Sequence, residues 1–325
     1  MRERDLVIVG GGPAGMAAAI SAYENGVKDI LLLERDQYLG GILNQCIHTG
    51  FGIEYFKEVL TGPEYGGRFI DRVRKTPNIE VSLKTFVVRL TPEKVLTYIK
   101  PGVMEEVRAK TLIMATGCRE RTREMIHIAG TRPAGIFSAG LAQKLINIEG
   151  LLPGYKAVIV GSGDIGMIMA RRFTLEGAEV KAVIEIQEKT RGLLRNLVQC
   201  IEDFDIPIYF RHKVKGIYGK DRVEKVEIVM TDENFNEVPG TAFEMECDTL
   251  LVSVGLIPEN ERVELAGVEL DKTPNAPVSD EVNKTSIAGL FVCGNSFKVY
   301  DIVDQVTHDS EKAGRQAAEY LRSLE

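Results

Sequence analysis

The chain has 325 residues, enough for about two domains of roughly 150 residues each. Hydrophobic residues make up 44% and charged residues 27%, a balance that excludes a disordered or fibrous chain. A net charge of −7 argues against a nucleic-acid partner, and no apolar run approaches the about 18 residues a membrane span needs.

The N-terminus enters an apolar run, Leu6 to Val9, almost at once. That leaves no room for a leader segment and implies a cytoplasmic protein. The run opens a repeat. Residues 7–15 read VIVGGGPAG and residues 158–166 read VIVGSGDIG, an offset of 151. At the same offset Glu34 closes ILLLE and Glu185 closes KAVIE. Each copy has the order strand, glycine turn, helix, strand, acid, the layout of a dinucleotide-binding βαβ unit. Gly10 and Gly161 suit the tight turn out of the first strand. Gly12 and Gly163 let backbone amides approach a pyrophosphate. Gly15 and Gly166 let helix and strand pack closely. The helix start, at Pro13-Ala14 or Asp164-Ile165, then offers free N–H groups and a positive dipole end to phosphate. Glu34 and Glu185 follow the third glycine by 19 residues, where a carboxylate accepts from ribose hydroxyls. A carboxylate at 185 also repels a 2′-phosphate and favours NAD over NADP. Lys189 and Arg191 lie close by; they either soften that preference or are solvated surface charges. The competing reading of each copy is a glycine-rich turn with no ligand.

Further along, Gly40-Gly41 opens the stretch GGILNQCIHTGFG at 40–52. Residues 79–110 and 208–248 show matching strand-turn patterns, each inserted between a βαβ unit and a closing apolar strand. The closing strands are TLIMATG, ending at Ala115, Thr116 and Gly117, and LLVSVG, ending at Gly255. A late strand, GLFVCGN, ends at Gly294 and Asn295, and a final helix runs from roughly Asp304 to Leu324. The five cysteines are nowhere closer than 46 residues, and the four histidines are equally scattered. This excludes a CxxC pair and locally clustered zinc or iron–sulfur ligands, and gives metal catalysis no support. An odd cysteine count also argues against a disulfide framework.

Together these signatures resemble the two-dinucleotide-domain flavoprotein reductases of the thioredoxin-reductase-like class, over essentially the whole chain. The resemblance implies an α/β fold of two Rossmann-like, three-layer ββα dinucleotide-binding domains, each with an inserted β-meander. It implies a discontinuous FAD domain at 1–119 and 257–325, an NAD(H) domain at 120–256, and no separate dimerisation domain. FAD roles fall on the first glycine turn (Gly10, Gly12, Pro13, Ala14, Gly15), on Glu34 and Arg35, and on Gly40, Gly41 and Gln45. They also fall on Val87, on Ala115, Thr116 and Gly117, on Gly294 and Asn295, and on Asp304, Gln305 and Val306. NAD roles fall on Gly161, Gly163, Asp164, Ile165, Gly166, Glu185 and Gly255. In the family the late strand ends in Gly-Asp, whose Asp holds a ribityl hydroxyl. Asn295 stands there in this chain and offers a hydrogen bond without charge assistance, which implies a weaker or altered contact. The family also points the start of its last helix at the flavin pyrimidine; simple N-capping by Asp304 is the alternative.

Thioredoxin reductases carry CxxC before the second glycine turn, and residues 137–140 here are FSAG. That argues against thioredoxin reduction. The stretch ATGCRERTREMIHIAGTRPAGIFSAGLAQ instead resembles the FAD/NAD subunits of heteromeric amine-type oxidases and dehydrogenases. These include sarcosine oxidase α, opine oxidase and hydrogen cyanide synthase subunits, and companions of glycerol-3-phosphate dehydrogenase-like flavoproteins. The resemblance implies an oligomer with a flavoprotein or iron–sulfur partner subunit. It implies hydride passage between NAD(H) and FAD, with electrons exchanged with that partner or a small acceptor. In disulfide reductases the redox cysteines follow the corresponding Gly-Gly. Cys46 is thus a candidate flavin-proximal thiol, with His48 as proton donor or thiolate partner, although Leu43 occupies the first cysteine's place. Packing of both residues is the alternative. Two other functions stay open: a thiol-assisted disulfide or peroxide reductase using Cys46, and a nucleotide-binding scaffold subunit without turnover.

Overall fold

The computed structural model describes residues 2–272, 275–279 and 281–324. The chain divides into two compact units, Met1–Arg119 with Ile257–Glu325, and Glu120–Leu256.

In the first unit, strand Arg2–Val9 runs parallel to Ile30–Leu33 on one side and to Val103–Met114 on the other. The sheet continues to Ile79–Ser82 at one edge and through Val95–Lys100 to Phe86–Leu90 at the other, with Leu290–Val292 also paired to Val103–Met114. Strand residues alternate between two cores, as a pleated strand requires. Leu6 and Ile8 pack with Ala17, Ile20, Phe69 and Ala313 on the helical side. Val7 and Val9 pack with Leu96, Val107, Val263 and Val292 on the other. Both faces being covered, the half-strand LVIV is wholly apolar. The alanine-rich helix Pro13–Glu24 lies against the C-terminal helix Val303–Arg322 at small residues. A Cβ on Gly314 would stand 2.4 Å from the Ala18 carbonyl oxygen, so only glycine permits this approach.

Three details differ from the sequence-based expectation, one of them in the second unit, where Ile208–Phe210 pairs in parallel with Glu179–Glu185 and is not part of the meander expected over 208–248. Residues Ile79–Ser82 are not part of the inserted meander. They pair in parallel with Ile30–Leu33, because the amphipathic helix Gly62–Lys75, opened by a Thr61/Glu64 capping box, carries the chain back across the sheet. The last meander strand and the closing strand are also one element, Val103–Met114. Its first half pairs antiparallel with Val95–Lys100 and its second half parallel with Arg2–Val9. Burial follows the change: Val103–Glu106 exposed, then alternation over 107–110, then the continuous buried run TLIM.

The second unit keeps the same plan with a different join. Its parallel sheet runs Ile136–Ser138, Thr249–Val252, Lys156–Val160, Glu179–Glu185, Ile208–Phe210. Its meander, His212–Tyr218, Lys225–Met230 and Phe243–Glu246, forms a separate sheet with Ala129–Gly130. Here a break at Cys247–Asp248 separates meander from closing strand. Among the described residues, no helix is long and apolar enough to cross a membrane.

Candidate dinucleotide sites

The three glycines of each turn answer to different neighbours. Gly10 has φ +108°, and a Cβ there would stand 2.3 Å from the Ala115 carbonyl oxygen. A Cβ on Gly15 would stand 1.8 Å from the Gly10 carbonyl oxygen. The second unit repeats this: Gly161 has φ +100° and would meet the Ser253 oxygen at 2.1 Å, and Gly166 would meet the Gly161 oxygen at 2.3 Å. The protein's own backbone demands these four glycines. The middle glycines are different. A Cβ on Gly12 would have only the Gly41 Cα nearby, at 3.9 Å, and one on Gly163 would have nothing within 4 Å. Nothing in the chain requires them to be small. Both are N-caps of helices that no side chain caps, so first-turn N–H groups face the same bare backbone. A bare cradle with unpaired amides and a positive dipole end fits a pyrophosphate.

The acids extend the repeat. Glu34 Oε2 accepts from the Gly11 N–H at 2.6 Å and Oε1 from the Asp36 N–H at 2.7 Å. Glu185 Oε2 accepts from the Ser162 N–H at 2.8 Å and Ser162 Oγ at 2.7 Å, and Oε1 from the Gln187 N–H at 2.8 Å. Both carboxylates are buried. Each therefore shapes its own glycine turn, and a carboxylate's remaining lone pairs stay available to ribose hydroxyls.

Around the first turn, separate segments close in. The Gly40 N–H donates to the Gly11 carbonyl at 2.9 Å, and a Cβ on Gly41 would lie 3.0 Å from the Gly12 Cα. Gln45 is buried at the end of a short 3₁₀ turn. Val87 is buried in the cluster that holds Val9 and Leu33, while Arg35 is exposed. The Ala115 N–H donates to the Val9 carbonyl, Thr116 Oγ1 donates to the Glu259 carbonyl at 2.8 Å, and the Cβ side of Gly117 is open. A Cβ on Gly294 would meet Ala14 Cβ at 2.6 Å and Val306 Cγ1 at 3.3 Å. Gly12, Ala14, Gly41, Gly294 and Val306, far apart in sequence, thus converge. Asn295 accepts from the Tyr300 N–H on Oδ1 at 3.1 Å and donates from Nδ2 to Cys118 Sγ at 3.7 Å.

Asp304 does not cap its helix. Ile302 is the N-cap, without a side-chain bond. Asp304 is 1% exposed, and its oxygens accept from the Tyr55 N–H at 2.7 Å and the Gly52 N–H at 3.2 Å. Gln305 is exposed and Val306 buried. Cys46 is fixed through its backbone, its N–H donating to Leu43 and its carbonyl accepting from Gly62. Burial pushes its thiol up to about 12, away from the thiolate that nucleophilic chemistry uses. The His48 ring lies 5.1 Å from that of Phe51. None of the five cysteines forms a disulfide.

In the second unit Asp164 turns sideways. Its Oδ1 accepts from the Leu193 N–H at 2.8 Å and Asn196 Nδ2 at 2.7 Å. Ile165 is half-buried beside it, and the Gly255 carbonyl accepts from the Arg121 N–H at 3.0 Å. Sequence reasoning missed three contributors. Gly192 packs against Asp164 and Met167 where a Cβ would collide with Met167 Cε at 2.2 Å. Thr190 Oγ1 donates to the Ser162 carbonyl at 2.6 Å. Asp309 Oδ2 accepts from the Gly294 N–H at 2.8 Å. Gly192 was detectable: it stands at the same offset of 151 from Gly41. Among the described residues no cluster of His, Cys, Asp or Glu is placed to hold a metal ion.

Residues 4–315 match the pyridine nucleotide-disulphide oxidoreductase family. The chain belongs to that family. It is therefore an FAD-dependent oxidoreductase, with FAD and a nicotinamide dinucleotide as its cofactors, and the two bare cradles fit their pyrophosphates. An opine oxidase subunit of Agrobacterium tumefaciens (strain Ach5) is 24% identical over 97% of this chain and 63% of its own length. Hydrogen cyanide synthase subunit HcnB of Pseudomonas protegens is 26% identical over 81% of this chain and 59% of its own length. The chain thus spans about three fifths of the length of these relatives. The thioredoxin reductase of Lactococcus lactis shares the fold, with a TM-score of 0.78 at 20% identity, covering 99% of this chain and 100% of that one.

Proposed function

We propose that the chain passes a hydride between NAD(H) and FAD and exchanges the electrons with a partner subunit or small acceptor, within a heteromeric dehydrogenase or oxidase. The carrying observation is the pair of bare glycine cradles, alike in geometry and one in each unit. The unit of 1–119 and 257–325 takes FAD at Gly10–Gly15, Glu34, Gly40-Gly41, Ala115–Gly117, Gly294-Asn295 and the start of the last helix. The unit of 120–256 takes NAD(H) at Gly161–Gly166 and Glu185. The subunit names of the two curated relatives support a partner chain. The bound cofactors supply hydride donor and acceptor. The chain's own part is to bind and orient them: first-turn amides hold phosphate, and Glu34 and Glu185 hold both their turns and a ribose. Glu185, buried, leaves no favourable place for a 2′-phosphate. The raised Cys46 thiol speaks against the thiol-assisted alternative.

Anaerobic titration of the purified FAD-loaded chain with NADH is the test. The proposal expects the visible absorption of oxidised flavin to bleach with NADH and poorly with NADPH. A yellow protein that NADH leaves unbleached, with or without a partner chain, sinks it in favour of a scaffold role.

A further inference from the structure

The buried carboxylate of Asp304 has no task in holding either glycine turn. It is 1% exposed, and among the described residues no lysine, arginine or histidine pairs with it. Its two bonds reach back about 250 residues in sequence, to the Gly52 and Tyr55 amides. Two side-chain bonds reinforce the same junction. Tyr55 Oη donates to Glu311 Oε1 at 2.6 Å, and Tyr65 Oη shares a hydrogen bond with Thr307 Oγ1 at 2.7 Å. The segment after Cys46 and His48 is thereby held against the first three turns of the C-terminal helix. The start of that helix is also where the candidate FAD turns meet, since Val306 and Ala14 both close on Gly294.

The two amides need acceptors, and a neutral oxygen would serve. A charge does something further. It lies in the first turn of an uncapped helix, where the dipole is positive, and partly cancels that end. Burial leaves it poorly screened. We infer that Asp304 is a positioning residue that fastens the Gly50–Phe56 segment to the C-terminal helix and, through its charge, lowers the reduction potential of FAD bound beside it. This rests on the assignment of FAD to the first unit.

The test compares wild type, Asp304→Asn and Tyr55→Phe as FAD-loaded proteins. The midpoint potential of the flavin is read by dye equilibration, and protection of residues 50–56 by amide hydrogen exchange. Asp304→Asn keeps an acceptor and removes the charge. It should favour reduction about tenfold, a rise of about 30 mV for a two-electron couple. Tyr55→Phe removes the Glu311 bond without touching the charge; protection should fall and the potential stay. Asp304→Ser repeats the comparison if the asparagine variant does not fold. An unshifted potential in FAD-loaded Asp304→Asn or Asp304→Ser overturns the inference, as does an equal shift in Tyr55→Phe. Failure of the wild type to take up FAD is a different result, and removes the site assignment itself.

Discussion

The two glycine cradles share their chemistry and differ in enclosure. Each has a glycine seven residues past its acid closing on it, Gly41 on Gly12 and Gly192 on Asp164 and Met167, but only the first is also walled from far along the chain, by Gly294 against Ala14 and Val306. The second has nothing within 4 Å of where a Gly163 side chain would begin, and its neighbouring segment, Thr190 to Asn196, comes from just beyond its own acid. The helix starts differ too: Pro13 presents no charge, whereas the Asp164 carboxylate turns aside to hold the segment at Leu193 and Asn196. A site assembled from the whole length of its unit suits a resident cofactor. A site closed only by its own neighbouring segment suits a nucleotide that arrives and leaves. Duplicated motifs can therefore be sorted by how far along the chain their walls come from.

The sharpest way to strain the comparison is to add a methyl where the backbone forbids it. Gly15→Ala puts a Cβ 1.8 Å from the Gly10 oxygen, and should cost on the order of 3 kcal/mol of stability by chemical denaturation, with FAD lost as a consequence. Glu185→Gln acts on the second cradle alone. Its neutral amide should narrow the preference for NADH over NADPH about tenfold, about 1.4 kcal/mol, measured by binding of each nucleotide to the FAD-loaded protein. FAD retention should not change. The smallest effect belongs to Cys46→Ser, which should alter NADH bleaching of flavin by less than about twofold. Its pH signature is separate. A thiol at about 12 when folded, against about 8.5 unfolded, adds stability that is complete below about pH 8.5 and declines as pH climbs toward 12. Melting temperatures between those limits should fall more steeply in wild type than in Cys46→Ser.

The dinucleotide-binding plan was legible because it is local: three glycines and an acid lie within one βαβ unit, and repetition at a constant offset doubled the signal. The strand Ile79–Ser82 was misplaced because nothing in IEVS says which neighbour it pairs with; the preceding helix decides that. For Asp304 the sequence offers a flavin-side role or a simple cap, since an acid near a helix start often is one. Its partners at Gly52 and Tyr55 are set by tertiary packing. Asp309 lay hidden for the same reason. Cys46 follows Gly-Gly without the family's spacing, and its burial, which pushes the thiol up, is set by tertiary packing.

The account's central claim is the division of labour between the cradles, and parallel Gly12→Ala and Gly163→Ala variants test it most directly. Neither methyl meets an obstacle within the chain, so both proteins should fold. The measurement is flavin content followed by anaerobic NADH titration. Gly12→Ala should be depleted of FAD. Gly163→Ala should stay yellow and need roughly tenfold more NADH to bleach, a loss of about 1.4 kcal/mol. Loss of flavin from Gly163→Ala with retention in Gly12→Ala, or wild-type behaviour in both, would contradict it.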